Sequence, residues 1–177
     1  MKRLLILANS DSAIFKFRSE LIEVLSKEYH IGIGIPFGQY MELIKNDAYE
    51  FFDIPINRHG LNPLEDLKLL RKYRKLMRSF KPDAVLLYTI KPNLYGSIAA
   101  SKFNIPCLCN ITGLGSALEK QGLLQSLLIR MYRYAMKQEH TIFFQNAHGR
   151  EFFIEKGIGK EEQYYLLPGS GVNLDRF

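Results

Sequence analysis

The polar residues with the best claim to chemistry fall in three short stretches, each at the end of an apolar run. Asn9-Ser10-Asp11-Ser12 follows Leu4 to Ala8, Thr89-Ile90-Lys91-Pro92-Asn93 closes the run that starts at Ala84, and Asn110-Ile-Thr-Gly-Leu-Gly-Ser116 closes the run that starts at Pro106. Lys91 is the cation best suited to grip a phosphate or to steady a departing anion. Asn110 and Thr112 supply neutral donors and acceptors, and Gly113 and Gly115 let a backbone approach a ligand closely. Asn9, Ser10, Asp11, Thr89 and Asn93 add further polar groups for substrate, the first three of them directly before a helix start where an anion is favoured.

Other chemistries lack their residues. No G-x-G-x-x-G opens a helix and no G-x-x-x-x-G-K-[ST] occurs, which disfavours the standard dinucleotide fingerprint and P-loop phosphoryl transfer. Ile31-Gly-Ile-Gly-Ile35 lies inside an apolar run and reads as close strand packing. There is no H-E-x-x-H and no G-x-S-x-G, so neither a zinc hydrolase nor an esterase is indicated. Cys107 and Cys109 are two apart in a strand-like segment, which puts both on one face as small buried hydrophobes and gives no metal site. His30 and His140 each open a strand, while His59 and His148 fall in a loop and a first helical turn.

The elements that must position these loops alternate regularly. Strands are predicted over Leu4 to Ala8, Ile31 to Ile35, Tyr49 to Phe52, Ala84 to Thr89, Pro106 to Asn110, Thr141 to Phe144 and Tyr165 to Leu167. Helices are predicted over Ala13 to Tyr29 (with Ile14, Phe17, Leu21 and Val24 or Leu25 facing inward and Asp11 or Ser12 as cap), Met41 to Lys45, Leu64 to Phe80, Leu94 to Phe103, Leu123 to Gln138 and Asn146 to Lys156. Such alternation gives a doubly wound, mostly parallel α/β sheet with the first strand central. Ligands then bind beyond the carboxyl ends of the strands, where all three polar stretches lie.

Composition sets the remaining bounds. The chain has 177 residues, 47% hydrophobic and 24% charged, which suits one folded domain. No apolar run approaches the ~20 residues of a membrane span. The opening MKRLLILANS reads as a buried strand, with no small-x-small cleavage site, so export is not expected. The net charge of +6 favours phosphate-bearing partners without choosing among them. Seven basic residues between Lys68 and Lys81 lie on one helix whose aromatics sit on its apolar stripe, an arrangement that argues against nucleic acid as the partner.

Three stretches carry a family resemblance. Asn110-Ile-Thr-Gly-Leu-Gly115 and Pro168-Gly-Ser-Gly-Val-Asn-Leu-Asp-Arg-Phe177 look like segments of a family 4 glycosyltransferase, the latter matching "PNGVD-x-x-x-F" at Gly171, Val172, Asn173 and Phe177. Tyr88-Thr-Ile-Lys-Pro-Asn-Leu-Tyr-Gly96 and the following Ser97-Ile-Ala-Ala100 resemble "H-T-x-K-x-x-x-x-G-x-x-A-A". Many relatives carry histidine after the fourth strand and before the conserved glycine, where this chain has Tyr88-Thr89-Ile90 and Thr112. Lys91, Asn110 and Thr112 remain as the polar groups assigned to catalysis.

The resemblance implies a Rossmann-like domain over residues 1–167, the N-terminal, acceptor-binding half of a retaining, two-domain GT-B enzyme. Residues 168–177 would begin the linker to a donor-binding domain absent from this chain. Its reaction would move a hexose or N-acetylhexosamine from a nucleotide-sugar, by expectation a UDP-sugar, to a sugar or polyprenyl-diphosphate-linked acceptor in surface-polysaccharide assembly. No cofactor or metal is expected, the location is cytoplasmic with peripheral contact at an anionic inner membrane face, and this half alone is expected to be inactive. The alternative is a non-catalytic nucleotide- or nucleic-acid-binding α/β module.

Overall fold

A computed structural model describes residues 1–58, 62–137, 140–171 and 173. His59, the Gln138 end of the helix expected from Leu123, and Val172, Leu174 and Phe177 of the closing motif lie outside the described residues. Within them, β1 (Lys2–Leu7), β2 (Tyr29–Ile35), β3 (Tyr49–Asp53), β4 (Ala84–Tyr88), β5 (Cys107–Ile111), β6 (Thr141–Phe144) and β7 (Tyr164–Leu166) form one sheet in the order β3-β2-β1-β4-β5-β6-β7. Every pairing is parallel. The doubly wound α/β fold is therefore as expected, with β4 rather than β1 in the middle. The chain leaves β1 for one side of the sheet and returns to β4 on the other, so the strand order reverses between these two strands.

Alternation within the strands separates two cores. Leu5, Leu7, Val85, Leu87, Cys107 and Cys109 join one, beneath α4 (Pro63–Phe80) and α7 (Leu123–Ala135). Leu4, Ile6, Ile31, Ile33, Leu86 and Tyr88 join the other, with Ile14, Ile22 and Ile44 from α1 (Asp11–Phe17), α2 (Ser19–Ser26) and α3 (Met41–Ile44). The two cysteines are buried and free on one face, and burial pushes the Cys109 thiol up to about 12. Gly32 and Gly34 let α4 press on β2: a Cβ on Gly32 would come within 2.7 Å of the Phe80 ring, and one on Gly34 within 2.7 Å of Leu7.

The expected single helix over Ala13 to Tyr29 is two helices broken at Arg18, whose ψ of −7° is not helical. The break resets the phase, so Ile14 and Ile22 are buried while Phe17, Leu21 and Val24 are exposed. Ser10, not Asp11 or Ser12, caps α1 by accepting from the Ala13 N–H at 3.1 Å. The expected helix over Leu94 to Phe103 is a π-helical turn (Pro92–Gly96) followed by α5 (Ser97–Ser101). Two short helices escaped the sequence reading: α6 (Ser116–Glu119) and a 3₁₀ turn (Glu161–Gln163); α8 (Ala147–Glu155) falls as expected, capped by Asn146. No helix among the described residues is long and apolar enough to cross a membrane.

Candidate functional site

The carboxyl ends of β1, β4 and β5 border a cleft of about 290 Å³. The segment after β1 supplies Asn9, the segment after β4 supplies Thr89, Ile90, Lys91 and Asn93, and β5 with its loop supplies Asn110, Thr112, Gly113 and Gly115. Eight of the ten residues singled out in the sequence thus share one cavity. The other two do not line it. Ser10 is spent on the α1 cap. Asp11 is buried, and its carboxylate accepts from the Ser12 N–H and from the Tyr40 N–H, each at 2.8 Å, fixing the loop after β2. Two charged or aromatic side chains of the lining, Arg58 and Tyr132, were not anticipated. Arg58 lies after β3, whose carboxyl end belongs to the same rim; Tyr132, on α7, is buried.

Thr89 is held in the left-handed region at φ 73°. For a β-branched residue this is a strained conformation, of the kind that survives only where surrounding structure imposes it. Its Oγ1 is buried without a hydrogen-bond partner, and so is Oδ1 of Asn93, a residue only 1% exposed. The rest of the Asn93 side chain is committed, since Nδ2 donates to the Asn110 carbonyl at 2.9 Å and ties the π-helical turn to the end of β5. Gly96 permits this turn because a Cβ there would lie 2.6 Å from Leu87 Cδ2. Asn110 is buried beside it, with Nδ2 3.5 Å from the Leu87 carbonyl.

Lys91 requires a correction. It lines the cleft and a neighbouring cavity beside α4, yet its Nζ donates to Asp66 Oδ1 at 2.7 Å with both side chains buried. Its charge is countered in place, so the free phosphate grip expected from the sequence is not what the structure presents. Burial, and after it the nearby Asp66 carboxylate, pushes the Tyr95 phenol well above its ordinary value. The loop glycines differ from each other. Gly115 at φ 68° needs to be glycine, whereas a Cβ on Gly113 would meet nothing within 4 Å and leaves the rim open. Among the described residues no group of three His, Cys, Asp or Glu side chains could hold a metal ion.

No curated protein matches the chain. Among solved structures it is similar to UDP-N-acetylglucosamine 2-epimerase from Rickettsia bellii, with TM-score 0.67 and 16% identity over 96% of this chain and 45% of that one. It is also similar to Anabaena Alr3699/HepE in complex with UDP and glucose (TM-score 0.66, 16% identity, 99% and 46% covered) and to Acinetobacter baumannii MurG (TM-score 0.61, 16% identity, 100% and 48% covered). The chain therefore spans about half the length of these structures and shares the fold of one of their halves, a GT-B-like domain. The family model described as Glycosyl transferase 4-like matches residues 3–146, most of the chain and every strand that borders the cleft, so the protein belongs to the glycosyl transferase 4-like family.

Proposed function

We propose that this chain is the acceptor-side domain of a retaining glycosyltransferase that moves a hexose or N-acetylhexosamine from a nucleotide-sugar to a lipid-linked saccharide in surface-polysaccharide assembly. The observation that carries the reading is the strained Thr89 with the two unpartnered oxygens, Thr89 Oγ1 and Asn93 Oδ1, on residues of the cleft. Buried polar atoms without partners call for an explanation, and hydroxyl groups of a bound saccharide supply one. Similar solved structures are complexes with UDP, UDP-glucose and UDP-GlcNAc, which favours a UDP-sugar as donor.

Transfer breaks the bond between the anomeric carbon and the leaving diphosphate and forms a bond to an acceptor hydroxyl oxygen on the same face of the ring, while the hydroxyl's proton passes to the departing diphosphate. Negative charge grows on the diphosphate, and preorganised donors lower the barrier most where that charge develops. In this reading Thr112 and Asn110 orient the acceptor hydroxyl near the reacting carbon. Lys91, already paired with Asp66, holds the β4 loop in place. A second domain would supply the groups that grip the nucleotide.

Approach to a membrane-borne acceptor has its own support. On α7, Leu123 is 93% exposed, Leu124 and Leu127 are also uncovered, and the exposed Arg130 and Arg133 follow on the same helix. α7 leaves from the carboxyl end of the sheet, the side on which the cleft opens. Apolar side chains entering the interfacial layer beside cations that meet anionic head groups would dock this rim on a membrane at about 1 kcal/mol per basic residue.

The deciding experiment uses the polypeptide in which this chain is joined to a donor-binding domain. A labelled hexose is supplied on UDP, with a polyprenyl-diphosphate saccharide as acceptor, and the product's anomeric configuration is read by proton NMR. Retained configuration, with kcat lowered at least tenfold by Thr112→Val at unchanged Tm, is the expected result. An inverted product, or full activity in Thr112→Val, overturns the proposal.

A further inference from the structure

Arg18 sits in the break between α1 and α2 and is only 9% exposed. Its Nη1 donates to the Phe17 carbonyl at 2.8 Å and its Nη2 to Ser170 Oγ at 3.0 Å, with the guanidinium carbon 4.5 Å from the centre of the Tyr88 ring. A guanidinium has five N–H donors, and these contacts occupy two of them. Among the described residues no carboxylate stands within ion-pair distance of Arg18. The contrast with Lys91 is direct, because that buried cation has Asp66. A buried charge without a counter-charge is costly in a folded protein. Burial accordingly pulls the Arg18 guanidinium below its ordinary value, an effect that Tyr88 partly offsets.

Arg18 borders a cavity of about 410 Å³ that is also lined by Ile14, Phe17, Tyr88 and Ser170. Thr89 and Thr112 line it too, and both also line the cleft described above. The two cavities therefore share a boundary. The uncompensated charge, the unused donors and the adjoining space point to one kind of occupant, an oxyanion that completes the ion pair.

We propose that Arg18 and this cavity form an oxyanion-binding site beside the cleft, taking the phosphate or carboxylate group of a substrate whose sugar lies across Thr89 and Thr112. The planar fork of arginine pairs with both kinds of group through two parallel hydrogen bonds. Only the choice between a diphosphate and an acidic sugar rests on the glycosyltransferase reading; anion binding at Arg18 stands apart from transfer.

The test is an NMR titration of the chain labelled with ¹⁵N-arginine, using inorganic pyrophosphate, glucuronate and, as neutral control, glucose, at constant ionic strength. The Arg18 Nε–Hε signal is assigned by its loss in Arg18→Lys. A saturable shift of this signal with pyrophosphate, glucuronate or both, and none with glucose, is expected, and which anion acts identifies the source. Binding weakened at least about tenfold in Arg18→Gln, a change of about 1.4 kcal/mol, completes the case. If that variant does not fold, the wild-type titration decides. No shift of the Arg18 signal with either anion, or equal affinity in a folded Arg18→Gln, overturns the proposal.

Discussion

Replacing Lys91 with methionine keeps an unbranched side chain and removes the ammonium, leaving the Asp66 carboxylate buried without its partner. In the structure the pair is 2.7 Å apart, with side-chain exposures of 10% for Lys91 and 7% for Asp66, so little water is at hand to replace the lost charge. Removing one member of such a pair costs about 3–5 kcal/mol. Methionine keeps the packing of the lysine stem, so the lower end, about 3 kcal/mol, is expected. For a domain of this size each kcal/mol lowers Tm by about 2–4 °C, which gives a fall of about 6–12 °C by circular dichroism. Converting Asp66→Leu in the same chain removes the stranded carboxylate, and the double variant should recover most of the loss. Asp66→Leu alone strands Lys91 at a similar cost, so the coupling energy from the four melting curves, the two single losses less the small loss of the double variant, is about 5 kcal/mol, above the usual 0.5–3 kcal/mol range. A Lys91→Met variant within about 1 kcal/mol of wild type, or strictly additive single effects, refutes the assignment of Lys91 to this pair and restores it as a free cation.

Four further outcomes are expected. Thr89→Asn, which places in the left-handed region a residue that tolerates it, should raise Tm by a few degrees by relieving strain of about 1–3 kcal/mol while weakening ligand binding; a lower Tm contradicts the strain. Gly96→Ala should cost about 1–3 kcal/mol by driving a methyl against Leu87, read by urea unfolding; a neutral variant would show that the π-helical turn can shift away. Burial lowers the His140 pKa, so the unfolded state binds more protons once pH falls below the ordinary histidine value. Stability should hold above about pH 6.5 and fall as pH drops through the folded pKa, with a shallower fall in His140→Asn; equal slopes would refute it. Wild-type protein should sediment with vesicles rich in anionic lipid at low salt and much less at high salt, and Leu123→Glu with Leu127→Glu should abolish this without changing Tm. Equal partition into neutral and anionic vesicles would end the docking proposal.

Much of the architecture is legible in local pattern. Strands buried on both faces appear as near-continuous apolar runs such as Ala84 to Tyr88, and α4 declares itself by Leu69, Tyr73, Leu76 and Phe80 at helical spacing, all buried in the structure. What periodicity missed has tertiary causes. The break at Arg18 is invisible in a window that reads Ile14, Phe17, Leu21 and Val24 as one stripe, because the reason for it, a guanidinium turned over Tyr88, is a contact 70 residues away in sequence. The π-helical turn depends on Asn93 reaching the Asn110 carbonyl and on Gly96 meeting Leu87, neither of them local. The cleft follows from the rule that parallel sheets bind ligands at their carboxyl ends, which brings Asn9, Thr89, Lys91, Asn93, Asn110, Thr112, Gly113 and Gly115 together. That rule speaks of loops and not of side chains. It could not show that Asp66, four residues into α4, would claim Lys91, or that Asp11 would turn away to hold the loop at Tyr40.

The central claim, that the cleft between β4 and β5 receives a saccharide acceptor while the nucleotide is gripped elsewhere, is tested most directly by a backbone NMR titration of this chain. The ligands are a short-chain polyprenyl-diphosphate saccharide and, separately, a panel of UDP- and GDP-sugars. The account predicts saturable shifts with the lipid-linked saccharide that centre on Asn9, Thr89, Asn93, Asn110 and Thr112, and no tight site for any nucleotide-sugar. Low-micromolar binding of a nucleotide-sugar, or saccharide-induced shifts that spare those five residues, would contradict it.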